Sequence, residues 1–359
     1  MKNIYPGWYP KSQAEALSIW EQAIFVPDAN VLLHCLRHKS EIREDLLRLL
    51  EALSDSLWIP YQVGAEFHRN RLSVEFGAMD AYDLLLKDQE SNFDRARDRL
   101  RQVRAHPTID VQHELLKLDD FVEGFRTRIE GARSSHPVDD VGKVLDRLSN
   151  ILEGRVGSQW PAEKLAALRK EGEDRYAKKI PPGFRDIKKD AGDLDKFGDL
   201  IIWKDLIAKA KNDGRPVIFI SDDAKEDWWW IYRGKKIGPR PELVEEFLAG
   251  SDQHFHMYDF AQFLRFAAER LPADSGGVVA VEESVLADEE ARRRLEEAID
   301  VAEKLEKLRA LEDEREYMSR LLSGLPSRAS GEGEDRQELV NRLAEVNSEI
   351  GRLMLDVGS

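Results

Sequence analysis

PVIFISDDAKEDWWW, residues 216–230, is the stretch on which the fold turns. Its first five residues form an unbroken apolar run of strand length, which reads as a strand buried on both faces. The run stops at Ser221 and two consecutive carboxylates, Asp222 and Asp223. Upstream, AIFVP (23–27) is a second brief apolar run, and it too ends on an acid, Asp28. Between them DLIIWKDLIAKA, opened by Asp199, sets Ile202, Leu206 and Ala210, with Trp203 and Ile207, at helical spacing. Downstream, FHMY (255–258) reads as a last strand, followed by a helix through Phe260, Leu264 and Ala267. Strand, helix, strand, helix predicts an α/β fold with a central parallel sheet flanked by helices. Ligands of such sheets sit beyond the carboxyl ends of the strands, which places Asp28 and Ser221–Asp223 on one edge.

Around this frame the remaining segments take simpler readings. Residues 1–20, with Tyr5, Trp8 and Tyr9, form an N-terminal arm packed on the domain. DANVLLHCL begins a helix that Asp28 caps, and an amphipathic helix follows at about 40–53. SLWIP (56–60) is a further strand candidate, and Tyr61–Asn70 starts a helix carrying Glu66. Residues 72–180 are polar and charged and predict several helices, broken at Pro107, Gly131, Pro137 and Gly154. IPPGFRD (180–186) reads as a loop. The main domain thus spans 21–272, with 72–180 as a large helical insertion; 273–287 reads as a linker. Residues 288–359 predict a helical hairpin or coiled coil, since Leu339, Leu343, Val346, Ile350 and Leu353 alternate at 4–3 spacing. Leu311, Met318, Leu322 and Leu325 repeat that seam imperfectly. The tail therefore predicts an antiparallel hairpin, a homodimer of hairpins, or a docking element for a partner protein.

The net charge of −15 argues against a strong general grip on nucleic acid, which needs basic surface to displace counterions. That charge is unevenly spread. Residues 281–359 hold 21 acids against 12 Lys and Arg, leaving only −6 on residues 1–280. With one cysteine, Cys35, no intramolecular disulfide can form. The N-terminus MKNIYPGWYP lacks an apolar signal region, and no apolar run reaches membrane-spanning length. The expectation is a cytoplasmic protein with no membrane partner.

Carboxylates gathered on one sheet edge repel unless a cation lies between them, and hard oxygen donors suit Mg²⁺ or Mn²⁺. Such ions hydrolyse phosphodiesters by activating water and stabilising the leaving oxygen. Each acid also has a plainer reading. Asp28 and Asp199 serve equally as helix N-caps, Glu66 as a solvated helix residue, and Asp222–Asp223 as a turn.

The segments IFVPDANVLLHCLR, WIPYQVGAEFHRNR, KFGDLIIWKDLIAKAK and VIFISDDAKEDWWW resemble, in order, the four motifs of PIN-domain nucleases. With IPPGFRD, GDLIIW and SDDAKEDWW, the chain resembles the bacterial PIN-like family with a long insertion, over about residues 20–270. The resemblance implies a Mg²⁺- or Mn²⁺-dependent nuclease that hydrolyses phosphodiesters with a metal-activated water, with RNA favoured over DNA as substrate. It assigns catalysis and metal binding to Asp28, Glu66, Asp199 and Asp223, with Asp222 as the alternative or helper to Asp223. Glu66 and Asp199 stand 133 residues apart, further than in compact PIN domains, and the insert between them reads as a lid or substrate-selecting wall.

Further candidates have two readings each. Asn30 binds substrate or caps a helix; Ser221 bonds a phosphate or an acid, or shapes a turn. Lys225 contacts the scissile phosphate or is a surface lysine, and Arg69 near Glu66 is similar. Trp228, Trp229 and Trp230 either stack bases or pack; adjacent residues cannot all face one way, so packing is favoured. His254 and His256 lack a third ligand for zinc, Cys35 reads as a buried thiol, and the arginines of 95–104 pair with Asp94 and Asp98. Two other functions compete. A HAD-like phosphatase also places Asp after its first strand, but needs a second Asp where this chain has Asn30. A weakly active PIN scaffold would act through the tail.

Overall fold

The structure, a computed structural model, describes residues 1–2, 4–103, 106–136, 140–188, 195–223, 225–270, 278–324 and 333–357. It divides into two units, residues 1–283 and 284–359.

The first unit opens with a 3-10 turn at Pro6–Trp8 and helix α1 (Gln13–Gln22), whose N-cap Ser12 and Glu15 form a reciprocal capping box. The predicted arm is therefore helical in its second half. Strand β1 (Ile24–Pro27) leads through Asp28 into α2 (Ala29–Arg37), then α3 (Ser40–Ala52). The segment 56–60, read above as a strand, contributes only two isolated bridges, Phe25 to Leu57 and Ile59 to Val156. Pro60 removes a ladder donor, and α4 (Tyr61–Gln102) begins directly after it, so no continuous ladder forms.

Helix α4 runs without a break from the Glu66 motif into the insertion. It pairs antiparallel with α5 (Val111–Ser134): Arg97 meets Asp119 at 2.7 Å, Arg133 meets Asp83 at 2.9 Å, and Phe93 packs on Phe121 and Phe125. Gly131, read as a break, lies inside α5; Pro137 is outside the described residues. Helix α6 (Asp140–Leu152) is tied to α3 by Arg147, which bonds Glu44 and Glu51, each at 2.5 Å. Helix α7 (Ala162–Ala177) completes the insertion, and a 3-10 turn at Phe184–Lys188 follows it. Then come α8 (Gly198–Asp213), β2 (Val217–Ile220), the hairpin β3 (Trp229–Tyr232) and β4 (Lys235–Pro239), α9 (Pro241–Ser251), β5 (Phe255–Tyr258) and α10 (Phe260–Arg270).

The main sheet is parallel, in the order β1-β2-β5, with Phe25 level with Ile218 and His256. Side chains alternate across it, and the two faces bury different aromatic sets. On one face Phe25 and Tyr258 meet Trp20 of α1, at 4.8 and 6.0 Å between ring centroids, and Phe25 reaches Phe263 of α10. On the other, Phe255 packs on Trp203 of α8 and Phe247 of α9, both at 5.0 Å, and Phe219 meets Trp228 at 5.0 Å. This is why the strands read as continuous apolar runs: both faces are covered.

Of the residues read as a linker, 278–287 belong to α11 (Val278–Gly324), while Pro272, Gly276 and Gly277 lie outside the described residues. In the second unit α11 and α12 (Gly333–Val357) pair antiparallel, with Arg342 on Glu314 at 3.0 Å and Lys307 on Glu349 at 2.6 Å. Leu311, Met318, Val346 and Ile350 are buried between them, with Leu339, Leu343 and Leu353 alongside. The 4–3 seam is closed within one chain, as a hairpin; Leu325 is outside the described residues.

Candidate metal centre at the carboxyl edge of the sheet

The four predicted acids come to one end of the sheet. Asp28 follows β1 and caps α2: its Oδ1 accepts from the Ala29 amide at 2.7 Å and its Oδ2 from Ser221 Oγ at 3.0 Å. The Asp28 amide donates to the Ile220 carbonyl at 2.8 Å, which locks this acid to the end of β2. Capping and site membership are thus compatible roles of one side chain. Asp199 stands in the first turn of α8. Glu66, one turn into α4, accepts from Gln62 Nε2 at 2.7 Å and lies against Gly198, where a Cβ would come within 2.8 Å of its Oε1. Asp223 is held by a bond from its own amide to Ser221 Oγ at 3.1 Å, while its Oδ1 accepts from the Lys225 amide at 2.9 Å.

Charge crowding at this edge is severe. Burial, then the negative charge of Glu66, pushes the Asp28 carboxyl up to about 7. Burial does the same to Asp199, also to about 7, with Asp223, Asp186 and Asp227 adding to the rise and Lys225 opposing it. Lys225 is the local counter-charge: its Nζ lies 3.0 Å from Asp223, 3.3 Å from Asp186 and 3.6 Å from Asp199. Lys225 is half-buried, with its ammonium held among three carboxylates.

Asp222 turns away from its neighbour. It bonds His34 Nε2 on α2 and accepts from the Phe260 amide at 3.4 Å, so it fastens α10 to α2. His34 in turn shares a 2.9 Å hydrogen bond with His38 and stacks on Phe260. Ser221 bonds an acid, the second of its readings. Asn30 is exposed on the first turn of α2, and Arg69 is exposed one turn beyond Glu66. Trp228 and Trp229 are buried, as favoured, and Trp229 Nε1 donates to the Asp223 carbonyl at 2.6 Å. Cys35 is buried and its thiol is pushed up to about 12 by burial. Arg97 and Arg101 pair with Asp94 and Asp98 within α4.

The sequence reading missed Asp186 and Asp227. Asp186 comes from the IPPGFRD loop and is almost fully buried against Lys225. Fully buried Asp227 accepts from the amides of Gly183 and Arg185, both at 3.1 Å, and so ties that loop to β3. A loop reading of IPPGFRD carried the signal, an acid in a Gly-Pro turn, but nothing in the sequence brings it to α8.

The donors fit a hard divalent cation in chemistry: they are carboxylate oxygens, and Asp199 Oδ2 is buried with no hydrogen-bond partner. Among the described residues no three His, Cys, Asp or Glu side chains already surround one point. The Lys225 ammonium lies among Asp223, Asp186 and Asp199 instead.

A three-stranded parallel sheet flanked by helices, with acids at its carboxyl edge, defines an α/β domain. Residues 24–243 match the profile of the PIN-like domain, and the chain belongs to that family. PIN domains are generally metal-dependent nucleases that use Mg²⁺ or Mn²⁺. No curated protein and no solved structure matches the chain. Among the described residues, no helix is long and apolar enough to cross a membrane.

Proposed function

We propose that this protein is a Mg²⁺- or Mn²⁺-dependent nuclease that hydrolyses phosphodiesters, with RNA as the favoured substrate. One observation carries the reading: Asp28, Glu66, Asp199 and Asp223, separated by up to 195 positions, lie near one another at the carboxyl edge of the sheet, where burial first, and then the charge of Glu66 and Asp223, raises Asp28. These four would hold the cation, and Asp186 lies close enough to join them through the same lysine. When bound, the cation supplies Lewis acidity toward water and the phosphodiester.

The chain's own residues do the rest. Ser221 orients Asp28, Gln62 orients Glu66, and Trp229 fixes the backbone of Asp223. Lys225 pairs with Asp223, Asp186 and Asp199 and, with a cation bound by the acids, would be placed to offer its ammonium to a substrate phosphate. Asp222 acts by positioning α2 and α10, so Asp223 is the fourth ligand. The family assignment supports this reading over a phosphatase.

The test is cleavage of labelled single-stranded RNA, single-stranded DNA and duplexes with Mn²⁺ or Mg²⁺, beside Asp28→Asn and Asp199→Asn. Metal-dependent cleavage by the wild type, lost in both variants, is expected. Equal background from all three proteins on every substrate sinks the proposal.

A further inference from the structure

Two short segments of this acidic protein are locally basic and aromatic. WWWIYRGKKIGPR (228–240) contains Arg233, Lys235, Lys236 and Arg240 and no acid; residues 1–11 contain Lys2 and Lys11 and no acid. The fold sets them side by side. The first segment is the β3–β4 hairpin, and the second is the N-terminal turn, whose Gly7 lies so close to Pro241 that a Cβ would come within 2.5 Å of its carbonyl oxygen. Trp8 therefore has a fixed place, with its ring 5.4 Å from that of Trp230 in an edge contact.

Packing does not consume these rings. Trp8 is 50% exposed and Tyr232 60% exposed, while Trp228 and Trp229 beneath them are buried. Between arm, hairpin and β5 lies a cavity of about 460 Å³, walled by Trp8, Tyr9, Trp230, Tyr258 and Phe266 and flanked by Lys11. No acid lies within ion-pair distance of Arg233 or Lys235 among the described residues; Arg233 instead lies over the Tyr232 ring at 5.5 Å. The surface borders the acidic edge. Trp229 bonds Asp223, and Lys236 lies 3.8 Å from Asp259, the residue after β5.

We propose that the β3–β4 hairpin and the N-terminal arm form a platform for single-stranded nucleic acid, leading its backbone to the acids. Exposed rings stack unpaired bases, and Arg233 and Lys235 neutralise phosphates. A duplex cannot insert stacked bases into this cavity, so the platform selects unpaired strands. Of the hairpin's basic residues, Lys236 is paired with Asp259 and Arg240 with Glu242 at 2.7 Å, so the attraction for a polyanion falls to Arg233 and Lys235. The inference rests on the nuclease reading, but its test does not require cleavage.

Binding is measured on the full chain in EDTA by fluorescence anisotropy, with labelled 20-nucleotide single strands of RNA and of DNA and a hairpin-free duplex. Trp8→Ala and Tyr232→Ala should each weaken single-strand binding about tenfold and duplex binding far less. Arg233→Glu with Lys235→Glu should lower the salt dependence of log K by at least ~1. Tyr317→Ala and Lys211→Glu, both at exposed sites on other elements, should change neither. Circular dichroism melts confirm folding, and Trp8→Phe should restore binding. The RNA and DNA arms show which sugar is preferred. The proposal is overturned if no strand binds, if the platform variants bind like wild type, or if duplex binding falls equally. Metal-dependent cleavage that survives while the platform variants bind normally would leave the nuclease reading intact and remove only the platform.

Discussion

Lys225→Met isolates the central electrostatic claim. The ammonium lies 3.0–3.6 Å from carboxylates of Asp223, Asp186 and Asp199. At an effective dielectric of about 20 each such pair is worth roughly 5 kcal/mol before desolvation. The net figure is far smaller, because burying the lysine opposes it and its side chain keeps 31% of its exposure. Removing one partner of a buried charge pair costs about 3–5 kcal/mol; solvent screening puts this case near the lower end, at about 3 kcal/mol. Methionine keeps the length and apolar stem, so the loss reports the charge. Urea unfolding at pH 8 in EDTA should therefore give a variant about 3 kcal/mol less stable with an unchanged m-value. A divalent cation should compensate, since the same carboxylates then face a charge of +2. Ligand at 100 times its dissociation constant adds about 2.7 kcal/mol, and it should add more to the variant than to the wild type. A loss under about 1 kcal/mol, or one untouched by Mn²⁺, would refute the reasoning.

Asp28 and Asp199, pushed up to about 7, favour the protonated folded state, so their contribution is complete near pH 4 and is lost as pH rises through 7. In EDTA each should make the protein about 1 kcal/mol less stable at pH 8 than at pH 6. Asp199→Asn should flatten that slope in thermal melts, and an unchanged slope would contradict the assignment. Gly183→Ala should lose at least about 2 kcal/mol in chemical denaturation, because Gly183 has φ +88° and a Cβ would approach the Tyr176 hydroxyl to 2.2 Å. Val346→Asp, at a position 1% exposed in the tail seam, should reduce helicity by circular dichroism. Sedimentation of the full chain and of residues 1–272 tests the homodimer alternative for the tail; an unchanged monomer in both sinks it.

What the sequence could show depends on how local each signal is. β2 was legible because a strand covered on both faces must be apolar throughout, and VIFI is. Asp28 and Asp199 were legible because helix starts can be read from neighbouring residues. The hairpin β3–β4 was not, since three tryptophans hide its alternation and Lys235–Pro239 has no apolar pattern. SLWIP failed in the other direction: its composition suits a strand, but only bridges at Leu57 and Ile59 form. Asp186 illustrates the deeper limit. Its position beside Lys225 depends on α7, on Asp227 gripping two loop amides, and on α8 starting where it does. Each is a contact across dozens of residues, and no periodicity encodes it. The same limit explains the charge argument. A total of −15 argues against a general hold on nucleic acid, yet electrostatic attraction depends on where charges lie as well as on their sum. Residues 281–359 carry most of the excess, largely in a hairpin of their own, while Arg233 lies over the Tyr232 ring in the β3–β4 hairpin of the first unit. Composition averages over such local differences, which the charge counts of each segment and the pairings within each unit resolve.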